Sequence, residues 1–104
     1  MSENRPIHEE STSVERSQQL DEPPLYKVML LNDDYTTMEF VVDVLMHVFH
    51  KTEPEATRIM LNVHHQGVGV CGVYPYEIAE TKVDAVDRLA KEKGFPLKCL
   101  MERE

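Results

Sequence analysis

Nowhere in the 104-residue sequence is there an apolar run approaching the roughly 20 residues that a membrane-spanning helix needs. The first residues, MSENRPIHEE, also lack the basic start and apolar stretch of a secretory signal, so the chain is expected to stay in the cytoplasm. Positive charge is scarce: 11 Lys and Arg stand against 19 Asp and Glu, a formal net charge of -8. Such a surface repels phosphate backbones and acidic lipid, which argues against nucleic acid and membrane as partners. Cysteine occurs only as Cys71 and Cys99, both inside apolar stretches and without CxxC spacing. That excludes a disulfide framework and predicts two reduced core thiols. Gly-rich phosphate loops, zinc-ligand spacings and nucleophile elbows are missing as well. The expectation is a binding protein rather than an enzyme, with no cofactor and no metal.

What the chain does contain fits one domain behind a polar leader. Residues 1–24 hold six acidic and two basic side chains, with only Met1, Ile7, Val14 and Leu20 as sizeable apolar groups. That is too little burial to offset the entropy of ordering, so a disordered tail is expected there, ending at the stiff pair Pro23-Pro24. The folded domain is expected over 25–104.

From Leu25 the texture changes. YKVMLLN is a run of β-formers and aliphatics followed by turn-favouring Asn32, Asp33 and Asp34, which predicts a strand. Thr36 and Glu39 have capping-box spacing, and a helix is expected from about Thr37 to His50. Its polar positions Glu39, Asp43, His47 and His50 leave Met38, Val41, Val42, Leu45, Val48 and Phe49 to face inward. Thr52 and Glu55 repeat the capping signal, Pro54 suits a first turn, and Ala56, Ile59, Met60 and Val63 supply a helical stripe that Gly67 stops. VGVCGVYP predicts a second strand. Tyr76 to Lys93 reads as a helix with Ala79, Val83, Val86, Leu89 and Ala90 on one side and Gly94 as its end. PLKCLM predicts the last strand. The order βααβαβ implies an α+β fold, a three-stranded antiparallel sheet with three helices stacked on one face.

Three features ask for a functional reading, the polar cluster Asn32-Asp33-Asp34 at a strand end, the pair His64-His65 and the apolar side chains near both, and each has a plainer rival. Asn32-Asp33-Asp34 is either a recognition cluster or ordinary turn chemistry, in which such side chains bond their own backbone. His64 shares a helical stripe with Met60 and Val63, so it faces the domain, as a site residue or as a histidine packed at the core margin. His47 and His50 have the spacing of a metal pair with His64 or His65, but they lie on the solvent stripe with Glu39 and Asp43. A catalytic arrangement of Cys71 with His64 and Asp33 is disfavoured by the strand around Cys71, where thiols are inert.

The segments YKVMLLNDDYTTMEFVVDVL, ATRIMLNVHHQGVGVCGVYPYEIAETK and FPLKC, in this order and spacing, closely resemble ClpS, the bacterial adaptor family that delivers substrates with destabilising N-terminal residues to the Clp protease. The resemblance spans roughly residues 24–104 and implies a fold like the C-terminal domain of the ribosomal stalk protein. It also implies that Asn32, Asp33 and His64 hold the substrate's α-amino group. An ammonium brings three donors, and an amide oxygen, a carboxylate and a neutral imidazole nitrogen are three acceptors. Leu30, Asp34, Thr36, Met38, Val41, Met60, Val63 and Leu97 match the pocket for the first side chain, expected to take Leu, Phe, Tyr and Trp, with Met38 as the gate against β-branched residues.

Glu77 and Lys82, with Glu80 nearby, match the surface that docks on the unfoldase, whose implied identity is a ClpA-type AAA+ protein or a ClpC-like relative. The tail is implied to engage the unfoldase pore during hand-off. Two positions depart from the family pattern. Thr37 stands where Pro is common, which makes for a slightly less rigid helix start, and His65 stands where Tyr is frequent. A regulator of the unfoldase that never touches substrate, and a Cys-His hydrolase, are the competing readings.

Overall fold

Along LYKVMLL, Val28 and Leu30 are fully buried while the positions beside them keep partial exposure, the period-two pattern of a strand with one covered face. The computed structural model describes residues 22–104 as β1 (Leu25–Leu31), α1 (Met38–His47), α2 (Glu53–Gln66), β2 (Val68–Pro75), α3 (Tyr76–Lys93) and β3 (Lys98–Arg103). The expected tail falls almost wholly on residues 1–21, outside the described residues. β1 is the middle strand of an antiparallel sheet ordered β2-β1-β3, so the fold is the expected α+β arrangement with order βααβαβ. Val28, Leu30, Cys71 and Cys99 from the strands share one core with Val44 and Leu45 of α1, Ile59 and Val63 of α2, and Val86 and Ala90 of α3. On the sheet's other face Leu31 lies between Val68 and Lys98, and Met29 between Val70 and Leu100.

Several element ends differ from the sequence expectation, each for a local reason. The cap of α1 is Thr37, whose Oγ1 accepts the Phe40 N–H at 3.1 Å. Thr36 carries the capping-box spacing to Glu39, but its hydroxyl is turned the other way, onto Asp33. The inward face of α1 accordingly includes Phe40 and Val44, while Met38 is 46% exposed. Phe40 packs on Phe95, ring centroids 5.0 Å apart, which ties α1 to the chain beyond α3. The last strand begins at Lys98 instead of Pro96, since proline has no N–H for the ladder, and it runs on to Arg103.

α1 also stops early, at His47 with Val48 as its cap, because His50 adopts a left-handed conformation at φ 57. That turn lets the Lys51 N–H reach the Leu45 carbonyl at 3.1 Å. Left-handed geometry costs a side-chain-bearing residue on the order of 1 kcal/mol that glycine does not incur. The exposed His50→Gly variant is therefore expected to raise stability by about 0.5–1 kcal/mol, read as a shift of a few degrees in thermal unfolding; a fall would show that the His50 side chain holds the turn.

Both ends of α2 are fixed by local chemistry. It opens with a complete capping box, Thr52 N–H to Glu55 Oε1 at 3.1 Å and Glu55 N–H to Thr52 Oγ1 at 3.4 Å. It closes at Gly67, whose φ of 87 is the left-handed value glycine adopts freely. Gly69 comes next but one, where a Cβ would stand 2.6 Å from Val63 Cγ2, so its lack of a side chain lets β2 lie close against α2.

Candidate functional site

The end of β1 and the end of α2 are stitched together: the Asn32 N–H donates to the Gly67 carbonyl at 2.9 Å. This bond sets Asn32 beside the last turn of α2, which carries His64, although the two are far apart in sequence. The chain then turns sharply through Asp33. Its Oδ1 accepts the N–H groups of Tyr35 at 2.8 Å and Thr36 at 2.7 Å, and its Oδ2 accepts the Thr36 hydroxyl at 2.7 Å. The turn delivers the chain to the Thr37 cap, so that α1 starts beside α2, with Met38 and Val41 lining the same hollow as Met60 and Val63.

That hollow, about 280 Å³, is lined by Asn32, Asp33, Asp34, Thr36, Met38, Val41, Met60, Val63 and His64. Its floor is apolar: Val41, Met60 and Val63 are buried core residues whose outer atoms form the wall. Its rim is polar, with an amide, two carboxylates and an imidazole on the same hollow. The residues expected to act together are thus together. Leu30 and Leu97 are the two exceptions among the expected lining residues: they are buried in the core that backs the hollow and do not reach its wall. The reason for Leu30 is the pleat, which directs it under the helices and not toward the turn.

Asp33 and Asp34 differ more than their adjacency suggests. Partial burial pushes the Asp33 carboxyl up, but the Thr36 N–H, the Thr36 hydroxyl and the Tyr35 N–H together outweigh it and hold the group below its ordinary value. Asp33 is an anion whose lone pairs are largely committed to its own turn. Asp34 is exposed, lines the same hollow, and makes no side-chain hydrogen bond within the described residues. Both sequence readings of this cluster therefore describe part of it, turn chemistry in Asp33 and a free acceptor in Asp34. The spacing of Asp33 to Thr36 was the signal that separates them.

The remaining candidates fall elsewhere. Glu77 and Glu80 are exposed on α3. Lys82 is half-buried, donates to the Val48 carbonyl at 2.7 Å and lies over the Phe49 and Tyr74 rings at 5.9 and 5.3 Å, so its ammonium braces α3 against the end of α1. His50 is exposed and His47 has its Nδ1 2.9 Å from the Asp43 carbonyl; among the described residues no group of three potential ligands is placed to hold a metal. His65 is exposed and meets His64 edge-on, ring centroids 5.2 Å apart, without lining the hollow. Cys71 is buried and does not line the hollow; burial, with Cys99 adding to it, pushes its thiol up, and burial likewise takes Cys99 up to about 12. Neither thiol is a nucleophile at neutral pH. Among the described residues no helix is long and apolar enough to cross a membrane.

A polar rim of acceptors over an apolar floor, held at a strand–turn–helix junction, is the arrangement of a small α+β recognition domain and suits a ligand that combines a cationic or donor group with an apolar body. Similarity to known proteins agrees with that class and narrows it. A family model described as "ATP-dependent Clp protease adaptor protein ClpS" matches residues 21–100, and the chain belongs to the ClpS family. It is 60% identical over 99 residues to the ATP-dependent Clp protease adapter protein ClpS of Desulfatibacillum aliphaticivorans, covering 93% of this chain and 95% of the relative. To the protein of the same description from Myxococcus xanthus it is 55% identical over 101 residues, covering 93% and 94%. Among solved structures, Agrobacterium tumefaciens ClpS2 bound to L-phenylalaninamide superposes with a TM-score of 0.78 at 49% identity, covering 80% of this chain and 100% of that one.

Proposed function

We propose that this adaptor captures polypeptides by a free α-amino group together with a large apolar first side chain, Leu, Phe, Tyr or Trp, and hands them to a Clp protease through a ClpA-type or ClpC-like unfoldase. The observation that carries the reading is the meeting of Asn32, Asp34 and His64 on the rim of the hollow whose floor is Val41, Met60 and Val63. Three acceptors match three ammonium donors, and Asp34 takes the carboxylate part because Asp33 is engaged by its turn. The ligand of the Agrobacterium relative, an amine bearing an aromatic side chain, has the same two features. Met38, half exposed at the mouth, is the side chain a branched first residue would strike.

No bond is made or broken in this role, and the adaptor works in the cytoplasm without a cofactor. Burying one Leu or Phe side chain contributes about 1.5–3 kcal/mol, and each charge-assisted hydrogen bond about the same. After association costs this leaves about -8 kcal/mol, a dissociation constant near ~1 μM, weak enough for release. Docking to the unfoldase is assigned to Glu77 and Glu80 on α3, with Lys82 fixing that helix. The segment before the folded domain at 25–104 is assigned to the hand-off. Fluorescence anisotropy with a peptide beginning in free Phe is expected to give micromolar binding, and acetylating its amine to cost at least about tenfold. Equal binding of the two peptides sinks the assignment.

A further inference from the structure

Asn32, Asp33 and Asp34 form a ridge between two hollows, while His64 lines the first alone. A second hollow, about 370 Å³, shares Asn32, Asp33 and Asp34 with the first and is otherwise walled by Leu31, Tyr35, Pro96 and Lys98. Leu31, Pro96 and Tyr35 supply apolar surface to it. Tyr35 is 77% exposed, an unusual state for an aromatic ring, and its backbone is held in place by the Asp33 turn. Lys98 stands at the edge, next to Leu31 across the β1–β3 ladder.

We propose that this second hollow is the subsite for the second residue of the bound polypeptide, and that it favours a large apolar or aromatic side chain there. The inference rests on the amino-end reading above and adds to it. Three groups diverge from the first residue's α-carbon. With the amine on the ridge and the side chain in the first hollow, the main chain has to leave in a third direction. Successive α-carbons are about 3.8 Å apart, so the second residue stays close to the acceptors, and the second hollow is the one that shares Asn32, Asp33 and Asp34 with the first. There the second side chain covers Leu31 and Pro96 and stacks on Tyr35, removing apolar surface from water on both partners. The charges at this place do not oppose that choice. Asp33 is satisfied by its turn, Asp34 serves the ammonium, and exposed Lys98 at the edge disfavours a basic second residue and tolerates an apolar one.

The test compares peptides that share free Phe at the first position and carry Trp, Leu or Gly at the second, by anisotropy or calorimetry, on the full chain and on Tyr35→Ala. Phe-Trp and Phe-Leu are expected to bind about fivefold tighter than Phe-Gly, and the ratio to shrink to within about twofold in Tyr35→Ala. Because the Tyr35 side chain is exposed and its turn is held by backbone N–H groups, the variant is expected to fold, which circular dichroism verifies. Equal affinities for the three peptides overturn the subsite while leaving the amino-end reading intact. A preference that persists unchanged in Tyr35→Ala also overturns it, and failure of all three peptides to bind overturns the reading beneath it.

Discussion

Replacing Asp34 by Ala is expected to weaken binding of a free-Phe peptide by roughly 10- to 100-fold, the range of one charge-assisted hydrogen bond, while leaving the thermal midpoint within a degree or two. Replacing Asp33 by Ala should do the opposite in proportion. Asp33 accepts three hydrogen bonds from Tyr35 and Thr36, so its loss frees the turn that leads into α1, at a cost of about 1 kcal/mol by analogy with lost helix caps. Its effect on binding is then indirect, through a less ordered rim. The two variants side by side, scored by calorimetric affinity and by unfolding, separate the assignments: a larger binding loss in Asp33→Ala than in Asp34→Ala returns Asp33 to the amine site. Acid adds an independent check. The folded-state value of Asp33 lies below the unfolded 3.8, so its contribution is fully present above 3.8 and is lost as pH falls from there through the lowered folded value. The stability difference between the parent and Asp33→Ala should therefore narrow below about pH 4, and a constant gap would mean that the turn does not depend on the charge.

Leu30→Ala is expected to be the most damaging single truncation, about 3 kcal/mol, because Leu30 is wholly buried in the central strand and flanked by both neighbours, Gly69 and Cys99. A domain of this size loses roughly 4–8 °C per kcal/mol, so the midpoint should fall by well over about 10 °C. Family resemblance placed this residue in the substrate pocket. The structure puts it in the core, and the two placements predict different things. As a core residue, Leu30→Ala measured well below its midpoint should bind a free-Phe peptide within about twofold of the parent. As a pocket residue it would lose affinity at any temperature where it is folded, and unfolding would be mild. Chemical denaturation together with anisotropy at low temperature decides between them.

The strands, both long helices and their order were legible because their signals are local. Val28 and Leu30 alternate with less buried neighbours, Thr52 with Glu55 forms the capping box its spacing predicts, and Gly67 and Gly94 end helices in the left-handed conformation that glycine favours. The boundaries of α1 were misread for reasons equally physical. Thr36 has the capping-box spacing to Glu39, but Asp33 captures its hydroxyl and leaves Thr37, the next residue, to cap the helix. His50 carries no sign in sequence that it will take a left-handed turn; in the fold that turn goes together with the bond from Lys51 back to Leu45 and the burial of Phe49. Lys82 read as a surface charge on a helix, yet the Val48 carbonyl and two aromatic rings from outside that helix claim it.

Composition, periodicity and spacing by themselves established which residues were available: an acidic chain without a long apolar run, two cysteines inside apolar stretches, three strands and three helices in a known order, and a polar triplet and a histidine each next to apolar stripes. Those properties depend on neighbours a few positions apart, which is the range over which a linear pattern carries information. Which of the candidates share a cavity was decided only in three dimensions, by the β1–β2 ladder, which the bond from the Asn32 N–H to the Gly67 carbonyl extends, and by the close approach that Gly69 permits between β2 and α2. Contacts between residues distant in sequence arise from how elements pack, and packing also divides two adjacent aspartates into one that builds the turn and one that lines the hollow unpaired among the described residues.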